Sequence, residues 1–136
     1  MESRPGVYIY YCHNLALGGA KSALARLEAT DNVAVEAVPC SGRIDARYIL
    51  KAFEGGARAV CVLACPIGHC RSMEGNLRAV QRTRFVRELL AEAGLDPNSL
   101  RIFLPASPEE SALEAELEAI TRFVNGETEP AREVAA

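Results

Sequence analysis

Four short runs of β-branched, aromatic and other apolar residues alternate along the chain with helix-like segments: Val7 to Tyr11, Val33 to Val38, Ala59 to Leu63 and Leu100 to Leu104. Nothing else in the sequence restricts the fold as strongly. Strands joined through helices lie parallel with right-handed crossovers, and runs this continuously apolar suit strands covered on both faces. The expectation is an α/β fold: a small open parallel sheet of about four strands in flavodoxin-like order 2-1-3-4, with helices on both faces. The first helix is expected over residues 19–30. The second starts at Asp45 as N-cap and stops at Gly55-Gly56. The third runs from about Glu74 to Ala93, with Leu77, Val80, Phe85, Leu89 and Leu90 at near-helical spacing and Gly94 at its end. The fourth opens on "SPEE", where Ser107 reads as an N-cap, Pro108 suits the first turn and Glu110 completes a capping box.

At 136 residues, 49% apolar and 24% charged, the chain has the size and content of one globular domain. We assign residues 1–126 to that domain and 127–136, "ETEPAREVAA", to a flexible tail. Met1 to Gly6 carries no apolar leader core, and the longest apolar run, Ala59 to Ile67, is far short of the roughly 20 residues that cross a bilayer. A cytoplasmic protein with no membrane span is expected. A net charge of −3 argues against nucleic acid as a partner, which needs a concentrated Lys/Arg surface.

The topology then collects the cysteines. In an open α/β sheet every strand's carboxyl end lies on one edge, where ligands bind. Cys12 ends the first strand, Cys40 follows the second, Cys65 ends the third, and Cys70 sits five residues further on. Thiols converging in a cytosolic chain without a disulfide framework are a ligand set for zinc or an iron–sulfur cluster. The Cys65-x4-Cys70 interval is wide for a zinc knuckle and lacks a matching pair, which favours iron–sulfur. Cys61, within the third strand, reads as core. His13 and His69 each adjoin a cysteine and would permit a mixed Cys/His site, although supporting or surface roles suit them better.

"VPCSGRID", "ILKAFEGGARAV", "ACPIGHC" followed by "EGN", and "LLAEAGLDPNSLRIFLPAS" together resemble the delta subunit of methyl-viologen-reducing hydrogenase, over about residues 7–125. The resemblance implies an iron–sulfur electron-transfer subunit of a multisubunit redox complex, not itself a chemical catalyst. It implies a 2Fe-2S cluster on Cys12, Cys40, Cys65 and Cys70, and partners that include hydrogenase or other oxidoreductase subunits and a flavin-containing, heterodisulfide-reductase-like subunit. The family's first strand usually ends in a "CCNWC"-like run, of which this chain keeps Cys12, with Tyr11 and Leu15 in the other cysteine positions. Arg71 stands where histidine is common.

Two rival readings belong beside this one. Cys65-Pro-Ile-Gly68-His-Cys-Arg71-Ser72 matches the C-x-x-G-x-x-R-S phosphate loop of cysteine-dependent phosphatases and arsenate-reductase-like enzymes, with Cys65 as nucleophile and Arg71 holding the oxyanion. Pro66 removes an amide donor beside that nucleophile, and the motif leaves Cys12 and Cys40 unexplained. The other rival is a clusterless scaffold subunit. Arg78, Arg82, Arg84 and Arg87 give the third helix a basic character that suits either a solvated face or docking to an acidic partner.

Overall fold

The computed structural model describes residues 6–12, 21–29, 32–38, 40, 44–66, 75–107 and 109–126. The elements are β1 (Val7–Cys12), α1 (Lys21–Ala29), β2 (Val33–Val38), α2 (Ala46–Glu54), β3 (Ala59–Leu63), α3 (Gly75–Glu92), β4 (Leu100–Phe103) and α4 (Glu110–Val124), with a 3-10 turn at Pro97–Ser99 before β4. The four strands form one sheet in the order β2-β1-β3-β4. Every pairing is parallel. This is the α/β architecture and strand order that the alternating runs predict.

The sheet is covered on both faces. On one, Val7 and Ile9 of β1 and Ala59, Cys61 and Leu63 of β3 pack with Leu24 and Leu27 of α1 and Leu113, Leu117 and Ile120 of α4. On the other, Tyr10, Val60 and Val62 pack with Ile49 of α2 and Val86 and Leu90 of α3. The distribution follows from the order of travel. The chain moves one way across the sheet from β1 to β2 and the opposite way from β2 through β3 to β4. Crossovers of a single hand must then place α1 on one face and α2 and α3 on the other.

Local signals were sound at some helix ends and misleading at others. Asp45 does cap α2, its carboxylate accepting from the Arg47 N–H at 2.9 Å, and Gly55 closes the helix. Ser107 does not cap α4. That helix begins at Glu110, with Glu109 in the cap position making no side-chain bond, and the Ser107 Oγ instead accepts from the Glu109 N–H at 3.3 Å. Pro108 and the tail 127–136 lie outside the described residues.

The buried face of α3 also differs from the apolar stripe in its sequence. Asn76, Ala79, Val80, Thr83, Val86 and Leu90 face inward, whereas Phe85 is 53% exposed. Of the apolar stripe, Val80 and Leu90 are buried, Leu77 and Leu89 are half-buried, and Phe85 is the member turned to solvent. Leu90→Ala should therefore cost about 2–5 kcal/mol, whereas Phe85→Ala should stay within about 0.5 kcal/mol, as measured by urea unfolding.

Candidate functional site

Strands β1 and β3 are neighbours, yet their following helices, α1 and α3, leave for opposite faces of the sheet. Two adjacent strand ends whose loops part in this way open a crevice, the usual ligand position in an open α/β sheet. Cys12, Cys40 and Cys65 stand at this edge of the sheet. Cys12 is the last residue of β1 and is 1% exposed. Cys65 is two residues beyond β3 and 3% exposed. Both join the same buried cluster.

The path to Cys65 is held straight, because the Ala64 N–H donates to the Phe103 carbonyl at 2.9 Å and continues the β3–β4 ladder past Leu63. Alternation then puts Cys61, Leu63 and Cys65 on one face, and all three belong to one core cluster. Cys40, two residues past β2, is 5% exposed at the same edge, beyond the level at which Cys12 pairs with Val38. Cys12, Cys40, Cys61 and Cys65 are thiols rather than halves of disulfides.

The structure thus brings Cys12 and Cys65 into one cluster and leaves Cys40 buried at the neighbouring strand end. Cys70, His13, His69, Leu15, Gly68 and Arg71 lie outside the described residues. Among the described residues no three Cys, His, Asp or Glu side chains gather into a metal-binding group. The donors that are placed fit a thiolate-ligated centre in chemistry and location: soft ligands, one sheet edge, little access to water.

Cys61 belongs to the core. It is 0% exposed at the middle of the sheet, and burial pushes its thiol pKa well up, although the Arg101 and Arg58 guanidinium groups oppose that rise.

Arg82 and Arg87 of α3 hydrogen-bond to neighbouring segments of the molecule. Arg82 Nη1 donates to the Ile44 carbonyl at 2.8 Å. Arg87 donates through Nε to the Pro97 carbonyl and through Nη2 to Asn98 Oδ1, both at 2.9 Å. Arg78 and Arg84 are exposed and carry the outward positive charge of this helix.

Sequence reasoning gave no role to Asn76. It is 1% exposed, and its Nδ2 donates to the carbonyls of Cys65 and Pro66, each at 3.0 Å. Two signals were available: its place in the "EGN" that follows the cysteine pair, and its spacing, since 76, 79, 80 and 83 share one helix face.

These features define a class: a single-sheet α/β domain that carries buried thiols at the carboxyl edge of its strands. Within that class the chain belongs to the family of methyl-viologen-reducing hydrogenase delta subunits, whose model matches residues 7–126. It is similar to the vhu iron-sulfur subunit of the F420-non-reducing hydrogenase of Methanocaldococcus jannaschii, 33% identical over 106 residues, which cover 77% of this chain and 79% of the relative. The corresponding vhu iron-sulfur protein from Methanopyrus kandleri is 31% identical over 110 residues, covering 80% of this chain and 83% of the relative. A different kind of relative belongs to the ferredoxin:CoB-CoM heterodisulfide reductase of Methanosarcina mazei. One polypeptide of that enzyme is 33% identical over 98 residues, which cover 71% of this chain but 12% of that one.

The buried Cys61 thiol makes a prediction about alkaline pH. The unfolded thiol ionises near its ordinary value of 9.0, while the folded one keeps its proton to higher pH. Stability is therefore full below about pH 9 and falls as pH rises, with a limiting slope of about 1.4 kcal/mol per pH unit. Tyr10 and Tyr48 are also shifted upward, from 10.0, so their contribution starts later. Unfolding measured between pH 8 and 10 should show a shallower alkaline decline in Cys61→Ala than in the parent chain.

Proposed function

We propose that this chain is an iron–sulfur electron-transfer subunit of a multisubunit cytoplasmic redox complex. It holds a 2Fe-2S cluster through Cys12, Cys40, Cys65 and Cys70. It relays electrons between a partner oxidoreductase, such as a hydrogenase, and a flavin-containing subunit of the heterodisulfide-reductase type. The observation that carries the reading is that Cys12, Cys40 and Cys65 are all buried at one edge of the sheet, at or just beyond the ends of the neighbouring strands β1, β2 and β3.

The relatives support it from two directions. Similar chains of comparable length are named iron-sulfur subunits. The same domain also occurs as a segment, 12% of the length, of a heterodisulfide reductase polypeptide. A domain that is separate in one protein and fused in another favours a working contact between the two parts. Among the described residues no helix is long and apolar enough to cross a membrane.

In this role the bound cluster supplies one-electron redox chemistry. The protein supplies position and environment. Burial of Cys12, Cys40 and Cys65 excludes water from the sulfurs, and a low local dielectric raises the weight of each nearby charge and amide dipole. No side chain need act as acid, base or nucleophile. The thiols offer electrons and place, and the exposed Arg78 and Arg84 offer a positive approach for an acidic partner.

Full-length chain prepared without oxygen should carry about two irons and two sulfides. Cys40→Ser should lower both and bleach the visible absorption. A colourless chain with no iron would contradict the proposal. So would phosphatase turnover that needs Cys65 and Arg71 and survives Cys40→Ser.

A further inference from the structure

The turn after β3 has an unusual means of support. Pro66 has no N–H, so its carbonyl is its one backbone hydrogen-bonding group. Asn76, the second residue of α3, takes that carbonyl and the carbonyl of Cys65 with the two hydrogens of a single amide, at 3.0 Å each. Its Oδ1 accepts from the Leu77 N–H at 2.9 Å, which fixes the plane of the amide. The side chain is 1% exposed, and its donor capacity is spent on the cysteine turn. An aspartate of the same shape would bring a carboxylate against two carbonyl oxygens, and a glutamine would carry the amide one carbon too far.

The same helix reaches the other cysteine segment. Six residues on from Asn76, Arg82 donates to the carbonyl of Ile44, four residues beyond Cys40. One rigid helix therefore grips the chain beside Cys65 and the chain that follows Cys40.

We infer that Asn76 is a positioning residue that sets the place of the Cys65 thiol through the Cys65 and Pro66 carbonyls, with Arg82 doing the same for the Cys40 segment through Ile44. Helix α3 is thus the common template for two of the candidate ligands. The consequence for a cluster rests on the electron-transfer reading above; the consequence for the thiols does not.

The test is made on the full-length chain, first metal-free and then iron-loaded. In the metal-free protein, modification by a small maleimide is followed residue by residue with mass spectrometry. Asn76→Asp should raise the rate at Cys65 about tenfold or more and leave Cys61 protected, because the turn opens locally while the core stays closed. Asn76→Gln, which keeps an amide donor, should give an intermediate rate and keeps the test usable if the aspartate variant does not fold. Arg82→Met should act at Cys40 more than at Cys65. Thr83→Val, a buried change on the same helix face, controls for general loosening.

In iron-loaded protein the electron paramagnetic resonance of the reduced centre should shift in Asn76→Gln and stay unchanged in Thr83→Val. An unchanged Cys65 rate in a folded Asn76 variant overturns the inference. So does an equal rise at Cys12, Cys40 and Cys65, which would mark ordinary destabilisation. If the parent chain takes up no iron, the electron-transfer reading fails while the maleimide rates still decide the role of Asn76.

Discussion

The parallel pairing of β1 with both of its neighbours, in one register, is the constraint on which the rest of the molecule depends. Val7 stands opposite Val33 on one side and Ala59 on the other, so Tyr11 reaches the level of Leu63 and Cys12 the level of Val38. Residues 12, 40 and 65, far apart in sequence, arrive at one edge because these ladders run level. A slip of one residue would turn a strand's core face outward and lose that alignment. The opposite end of the sheet is pinned. Asn32, at φ 71°, accepts from the Gly6 N–H through both its backbone oxygen and its Oδ1, at 2.9 Å each, and the Arg58 N–H donates to the Gly6 carbonyl at 2.7 Å. A Cβ on residue 6 would collide with the Asn32 side chain, so glycine is required by close approach there.

From that frame the site follows with few further requirements. Because α1 and α3 lie on opposite faces, the ends of β1 and β3 are the switch point of the sheet, the usual ligand position in such a fold. Cys12 and Cys65 occupy those ends. Helix α3 covers one face of the sheet through Val86 and Leu90, and its first turn also reaches the Cys65 turn through Asn76. Packing and site geometry are therefore carried by one element, and a change in the seating of α3 is felt at the thiols.

Much of this was legible in the sequence, for physical reasons that can be named. Strands covered on both faces must be continuously apolar, and Val7 to Tyr11 and Ala59 to Leu63 show it directly. Asp45 announced α2 because a carboxylate ahead of a helix meets otherwise unpartnered N–H groups. The gathering of Cys12, Cys40 and Cys65 at one edge was topology read from those strands. The seating of α3 was hidden, since Phe85 and Leu77 are larger and more apolar than Ala79 and Thr83, although the smaller residues are the ones that face the sheet. Side chains committed to backbone carbonyls were hidden too. Arg82 reads as a surface charge and Asn76 as a polar helix residue, and neither sequence pattern states that a carbonyl of a distant loop is the partner. Ser107 misled in the opposite sense: a good cap residue stood two residues ahead of Glu109, the cap position that α4 uses.

One claim stands above the others, that the thiols at this edge bind iron together. X-ray absorption at the iron edge of the full-length chain, prepared without oxygen, tests it directly. An iron shell made of sulfur alone, with one sulfur replaced by a lighter atom in Cys65→Ser, is the predicted result. A shell containing imidazole nitrogen, or a spectrum that Cys65→Ser leaves unchanged, would contradict it.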